Sequence, residues 1–224
     1  MALKCLIFDF DGTLADTSAC IVRTMSGTLE EMGLPVVSPE EIRNVIGLAL
    51  KDSLRKGAHV PEERVDEAVD IYHRIFKEIA EESAVIFPGV KDIVGELHSM
   101  GYSLAIATSR GYDSLDHLLR LFGIRDCFTT LATVECAGRP KPAPDTVNHV
   151  LEKMSLRPDE VLVIGDTTYD ILMGAAAGCA TCGVSYGNHS AAQLRSANPD
   201  FIISDIGELV GIVKAQAISD LSLS

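Results

Sequence analysis

No apolar run among the 224 residues approaches the ~20 needed to cross a bilayer. Met1-Ala2-Leu3-Lys4 leads straight into a short apolar run that ends in acidic residues, so a secretory leader is not expected and the cytoplasm is the expected location. Basic residues are in short supply. With 19 Lys and Arg against 32 Asp and Glu, the formal net charge of -13 disfavours wrapping nucleic acid or coating an anionic membrane. An anionic substrate therefore needs a locally positive site, which a metal ion and a few convergent basic side chains can supply. There is no repeat and no low-complexity tract. A disulfide framework is missing too: Cys5, Cys20, Cys127, Cys136, Cys179 and Cys182 lie scattered in apolar surroundings, as reduced thiols do. Cys179-Ala180-Thr181-Cys182 has the spacing of a zinc or redox motif, but alternate positions on a strand aim the two thiols at opposite faces. The six histidines are dispersed without metal-ligand spacing.

What is present reads as a soluble globular chain, 47% hydrophobic and 23% charged, long enough for one large domain or for a core with a small insertion. Short apolar runs at Leu3 to Phe8, Tyr102 to Thr108, Phe128 to Ala132, Val161 to Gly165, Ala180 to Ser185 and Phe201 to Ile203 predict buried strands. Helical patterns separate them, such as Leu115, Leu118, Leu119 and Phe122 stopped by Gly123. Alternating strands and helices predict an α/β fold with a doubly wound parallel sheet. From Ala15 to Ser83 the reading finds no strand. Ile21, Met25, Leu29 and Met32 share one helical face, Val65, Val69, Tyr72, Phe76 and Ile79 another, and Ser38-Pro39-Glu40-Glu41 has the signature of a helix start. The expected division is an α/β core of residues 1–14 and 84–224, with an α-helical cap of residues 15–83 set as a lid over the first acidic loop.

Asp9 and Asp11 end the first strand, and Asp166 and Asp170 follow the strand Val161 to Gly165. Ligands of open parallel sheets bind outside the carboxyl ends of the strands, so these carboxylates are expected to converge. Converging carboxylates repel unless a cation neutralises them, and hard oxygen donors suit Mg²⁺. A single Asp in such a loop is more simply a turn or cap residue; two acidic strand ends in matching contexts point to a metal site. Thr108 and Ser109 close another strand, where hydroxyls and backbone N–H groups can hold phosphate oxygens, although Ser109 also suits a helix N-cap. Lys141 stands in Gly138-Arg139-Pro140-Lys141-Pro142-Ala143-Pro144, a rigid setting for a cation that meets developing charge.

These motifs, Asp9-Phe10-Asp11-Gly12-Thr13-Leu14, Thr108-Ser109, Lys141 before Pro142, and Gly165-Asp166-Thr167-Thr168-Tyr169-Asp170, occur in one order along essentially the whole chain. In them the chain resembles the haloacid dehalogenase superfamily of phosphohydrolases, nearest to its phosphoglycolate phosphatase-like members with an inserted helical cap. The resemblance implies that Asp9 is a nucleophile forming an aspartyl-phosphate, and that Asp11 is general acid and then base. It implies that Thr108, Ser109 and Lys141 bind the phosphoryl group. Mg²⁺ is implied on Asp9, the Asp11 carbonyl and Asp166, with Asp170 in support. Arg110 departs from the Lys common at its position, which bears on anion contacts near the cleft. Arg43, Lys51, Arg55 and Lys56 flank Gly47-Leu48-Ala49-Leu50, a stretch like the specificity segment of such caps, yet each is more simply part of a solvated face. The implied activity is hydrolysis of a small phosphate ester such as phosphoglycolate, a sugar phosphate or pyrophosphate. A phosphosugar mutase shares all four motifs, and a non-catalytic binding protein is the rival from another class. A carbon–halogen hydrolase lacks the second acidic residue. A homodimer is left open.

Overall fold

The structure is a computed structural model that describes residues 3–221, with side chains described for 3–79 and 84–216. The first strand, β1 (Cys5–Phe8), has every residue buried. Leu6 and Phe8 join the apolar cluster on one face of the sheet, Cys5 and Ile7 that on the other. An unbroken apolar run is what a strand covered on both faces requires.

After β1 the chain forms β2 (Ala15–Asp16), α1 (Ser18–Glu31), α2 (Pro39–Arg43), α3 (Leu50–Lys56), α4 (Val65–Ser83) and β3 (Val85–Ile86). Strand and helix then alternate through α5 (Val90–Ser99), β4 (Ser103–Ala107), α6 (Tyr112–Leu121), β5 (Thr130–Ala132), α7 (Asp145–Met154), β6 (Val161–Gly165) and α8 (Thr168–Ala176). The chain closes with β7 (Ala180–Val184), α9 (Ala191–Ser196), β8 (Phe201–Ile203) and α10 (Glu208–Leu221). The six long strands form one parallel sheet in the order β5-β4-β1-β6-β7-β8, with helices on both faces. This is the doubly wound fold expected, with β6 and β8 at their predicted bounds and the other four strands shorter by one or two residues at one or both ends.

One expectation fails. The sequence predicts no strand from Ala15 to Ser83, but β2 pairs antiparallel with β3, Ala15 opposite Ile86 and Asp16 opposite Val85. A two-residue strand has no periodicity to detect, and its partner lies far along the chain. The pair brings the entry and exit of the helical segment side by side. Between them α1 to α4 enclose their own apolar cluster, including Met25, Leu29, Ile42, Leu54, Tyr72 and Phe76. Helix α2 begins as its sequence predicts: Glu41 N donates to Ser38 Oγ at 3.2 Å, and Ser38 N donates to the Glu41 carboxylate at 2.9 Å.

Cys179 and Cys182 bury into opposite faces of the sheet, where burial pushes their thiols up to about 11 and about 12. All six cysteines are free. Among the described residues, no helix is long and apolar enough to cross a membrane.

Because β1 is central and closely packed on both faces, Leu6→Ala is expected to cost about 2–5 kcal/mol. In urea denaturation the midpoint falls and the slope stays unchanged.

Candidate active site

Strands β4 and β6 flank β1 in register, Phe8 opposite both Ile106 and Ile164. Asp9 N continues the ladder by donating to Ile164 O at 2.8 Å. The segments after the three strands therefore emerge side by side, and chain connections depart from β1 in both directions, the place where such sheets form a crevice.

Asp9 is 2% exposed. Its Oδ1 lies 2.8 Å from Lys141 Nζ, an ion pair outside hydrogen-bond geometry, while Oδ2 is buried with no partner. Lys141, equally buried, also donates to Asp170 Oδ1 at 2.7 Å. Burial lowers the affinity of this ammonium for its proton, but Asp170 and Asp9 outweigh that and hold it above the ordinary lysine range. Asp9 is pushed up to about 7, chiefly by burial; Lys141 pulls it down, and Asp170 and Asp11 push it further up.

Asp166 is fully buried. Its Oδ1 accepts from Thr13 Oγ1 at 3.1 Å, and its Oδ2 from Asn188 N and Nδ2 at 2.7 and 2.8 Å. Burial first, then Asp170 and Asp9, raise it well above the usual carboxylate range. Asp170 sits in the first turn of α8, where its Oδ2 accepts from Thr167 N at 3.0 Å and Thr167 Oγ1 at 2.6 Å, closing a capping box. One ligand oxygen from each of Asp9, Asp166 and Asp170 lies within 4.8 Å of the others. Three carboxylates face one ammonium here, and an unpartnered buried oxygen points to a missing positive charge. The all-oxygen donor set fits a hard divalent cation.

Two glycines permit this packing. A Cβ on Gly12, whose φ is +85°, would stand 2.1 Å from Asp166 Oδ2, and one on Gly165 would stand 2.2 Å from Asp170 Cβ. Neither close approach tolerates a side chain.

The structure places the other predicted residues differently. Asp11 lines the same cavity as Asp9 but lies outside the three-carboxylate cluster, its carboxylate accepting from Arg110 Nε at 3.1 Å, Arg110 Nη2 at 2.5 Å and Thr17 Oγ1 at 2.6 Å. The chain has left the strand by then, with Leu14 N and Ala15 N both returning to Phe10 O, so two-residue alternation no longer sets direction. Thr108 borders the cavity, its Oγ1 accepting from Arg110 N at 3.3 Å. Ser109 Oγ donates to Gly47 O of the helical insertion at 2.8 Å. Of the basic residues around Gly47, Lys51 and Arg55 border the cavity and pair with Asp66 at 2.7 Å and Glu62 at 2.6 Å, and Lys56 pairs with Asp52 at 3.5 Å.

Sequence reasoning missed Thr13, Thr17 and Asn188 as partners of the acids. Asn188 stands 22 residues from Asp166 with no marking pattern. Thr167 could have been found, because Thr167-Thr168-Tyr169-Asp170 has capping-box spacing. The cavity, about 1010 Å³, has the strand ends on one side and an apolar wall from the insertion on the other, including Met25, Ile42, Leu48, Tyr72 and Phe76.

The family model of haloacid dehalogenase-like hydrolases matches residues 6–184. A Dickeya dadantii protein named probable phosphatase IndB is 34% identical over 98% of this chain and 96% of its own length. A phosphoglycolate phosphatase of Vibrio parahaemolyticus is 27% identical, covering 96% of this chain and 98% of its own. Among solved structures, a haloacid dehalogenase-like family hydrolase from Streptococcus pneumoniae superposes with a TM-score of 0.84 at 27% identity, over 94% of this chain and 98% of that one. With the acidic cluster at the ends of β1 and β6 and matches over nearly the full length, the chain belongs to the haloacid dehalogenase-like hydrolases, among the phosphatases of that family.

Proposed function

We propose that the protein is a Mg²⁺-dependent phosphatase that hydrolyses a small phosphate ester, phosphoglycolate-like, a sugar phosphate or pyrophosphate, through an aspartyl-phosphate on Asp9. The observation that carries this reading is the Asp9 carboxylate itself, buried, held by Lys141 through one oxygen and unpartnered at the other. Residues 1–14 and 84–224 act as the catalytic core and residues 15–83 as the cap, whose apolar wall keeps water from the reacting centre and limits the substrate to a small molecule.

An Asp9 oxygen attacks phosphorus as the bond to the leaving oxygen breaks, and Asp11 protonates that oxygen. Asp11 then takes a proton from the water that attacks the aspartyl-phosphate, releasing phosphate and regenerating Asp9. Lys141 offsets negative charge on the transferring group, and the Thr108 hydroxyl and the strand-end N–H groups orient it. Asp9 and Asp166 would hold Mg²⁺ together with the Asp11 carbonyl, and Asp170 supports the site through Lys141 and the α8 cap. The ion, when bound, neutralises phosphate oxygens and carboxylates that otherwise repel one another.

Asp9→Asn is expected to lower phosphate release from a panel of small esters and pyrophosphate at least about 10³-fold. Wild-type activity should require Mg²⁺; release that persists in the variant overturns the nucleophile assignment. Lys141→Met leaves two buried carboxylates without their counter-charge and is expected to destabilise the protein by about 3–5 kcal/mol in denaturant titrations at pH 8. The loss should shrink at pH 5, where Asp9, raised to about 7, is already neutral. A carboxylate raised from 3.8 to about 7 keeps a proton that the unfolded chain releases, so the metal-free protein loses stability as pH rises from about 4 through 7. Mg²⁺ should therefore raise Tm more at pH 8 than at pH 5, and an equal rise at both would contradict the metal assignment.

A further inference from the structure

The cavity holds a cation that the mechanism above does not use. Arg110 follows β4, is 8% exposed at its side chain and borders the cavity beside Asp11 and Thr108. Its guanidinium lies between two aromatic rings, 5.6 Å from the Phe10 centroid of the core and 4.7 Å from that of Phe76 on α4. Nε and Nη2 donate to Asp11, and Nη1 donates to Ser114 Oγ at 2.7 Å. Among the described residues three of the five guanidinium N–H groups are thereby used, which leaves two on a residue lining the cavity.

The nearby cations that hold ion pairs differ from Arg110 in one respect. Lys141, Lys51 and Arg55 are paired with acids, and Arg110 alone of these has as its acid Asp11, the group that serves the leaving oxygen in the mechanism. When Asp11 engages the substrate, a guanidinium held between two rings loses part of its counter-charge, and a buried charge left unpaired is costly. An anion reaching the remaining N–H groups restores the balance through charge-assisted hydrogen bonds, whereas a neutral leaving group does not. The planar fork suits a carboxylate or a phosphate equally.

We propose that Arg110 is a specificity-determining residue that binds a second anionic group, carboxylate or phosphate, carried on the leaving-group side of the substrate. The proposal rests on the reading that Asp11 serves the leaving oxygen. Since Arg110 and Asp11 are in direct contact, the second anion stands within a few bonds of that oxygen. Short phosphorylated acids and pyrophosphate fit this requirement, and neutral sugar phosphates do not.

The test compares kcat/KM within matched pairs. Phosphoglycolate is set against 2-hydroxyethyl phosphate, in which a neutral hydroxymethyl replaces the carboxylate, and pyrophosphate against methyl phosphate. Wild type is expected to favour the anionic member of at least one pair about 100-fold or more, and the pair that shows the preference identifies the anion. Arg110→Met keeps an unbranched stem between the rings and should cut that ratio at least tenfold, mainly through KM, with Arg110→Lys in between. Glycolate and ethylene glycol are leaving groups of similar basicity, so taking the ratio within each enzyme cancels a general loss from disturbing Asp11 in that pair, and the binding comparison below serves the other. A wild-type ratio near one in both pairs, or a ratio unchanged in both variants, overturns the proposal. If Arg110→Met fails to fold, Arg110→Lys and the wild-type ratios still decide it. Failure of wild type to hydrolyse any of the four compounds while it releases phosphate from a neutral sugar phosphate overturns the proposal, and failure on the whole ester panel refutes the phosphatase reading instead. Calorimetric titration of the same pairs into Asp9→Asn and into Asp9→Asn/Arg110→Met then judges Arg110 alone. A binding preference that disappears with the arginine supports the proposal, and equal affinities overturn it.

Discussion

The buried ammonium of Lys141, set between Asp9 and Asp170, is the contact on which the rest of the site depends. Without a positive charge at that point, the carboxylates at the ends of β1 and β6 could not stay ionised side by side in a sheet interior. One cation does not balance three acids: burial first, and the neighbouring carboxylates after it, raise the proton affinities of Asp9 and Asp166, and an Asp9 oxygen has no hydrogen-bond partner among the described residues. Such a surplus fits the Mg²⁺ proposed above.

Holding these acids in place consumes much of the surrounding polar structure. Asp166 is bound by Thr13 from the first loop and by Asn188 from the loop after β7; Asp170 is bound by Thr167 as part of a helix cap. Gly12 and Gly165 leave room for carboxylates where any side chain would collide. The helical segment meets the core at the cleft through contacts of a different kind, Ser109 with Gly47 and the Arg110 guanidinium beneath Phe76. Both contacts come from residues next to Thr108, so residues that border the cavity also meet the helical segment.

Much of the fold was legible because its signals are local. Six apolar runs gave six parallel strands, since a strand buried on both faces admits no polar residue, and the faces on α1 and α4 followed from helical spacing. Ser38 announced its helix through a capping box. The β2–β3 pair was illegible, because two residues carry no period and pairing partners are not encoded locally. In the site, Asp9, Asp166, Asp170 and Lys141 stood out by motif and context. The partners of Asp11 did not: nothing in the spacing of Thr17 or Arg110 shows that both turn to one carboxylate.

By itself, then, the amino-acid sequence determined the element order, the helical insertion after the first acidic loop, and which residue types stand at each strand end. All of these follow from short-range patterning and backbone preference. Only the tertiary structure decided that Lys141 joins Asp9 to Asp170, that Ser109 reaches Gly47 of the helical segment, and that Asp11 faces Arg110 rather than the carboxylate cluster. The reason is physical: a buried polar atom must find whichever partner packing brings within about 3 Å, and that depends on how distant segments close around it.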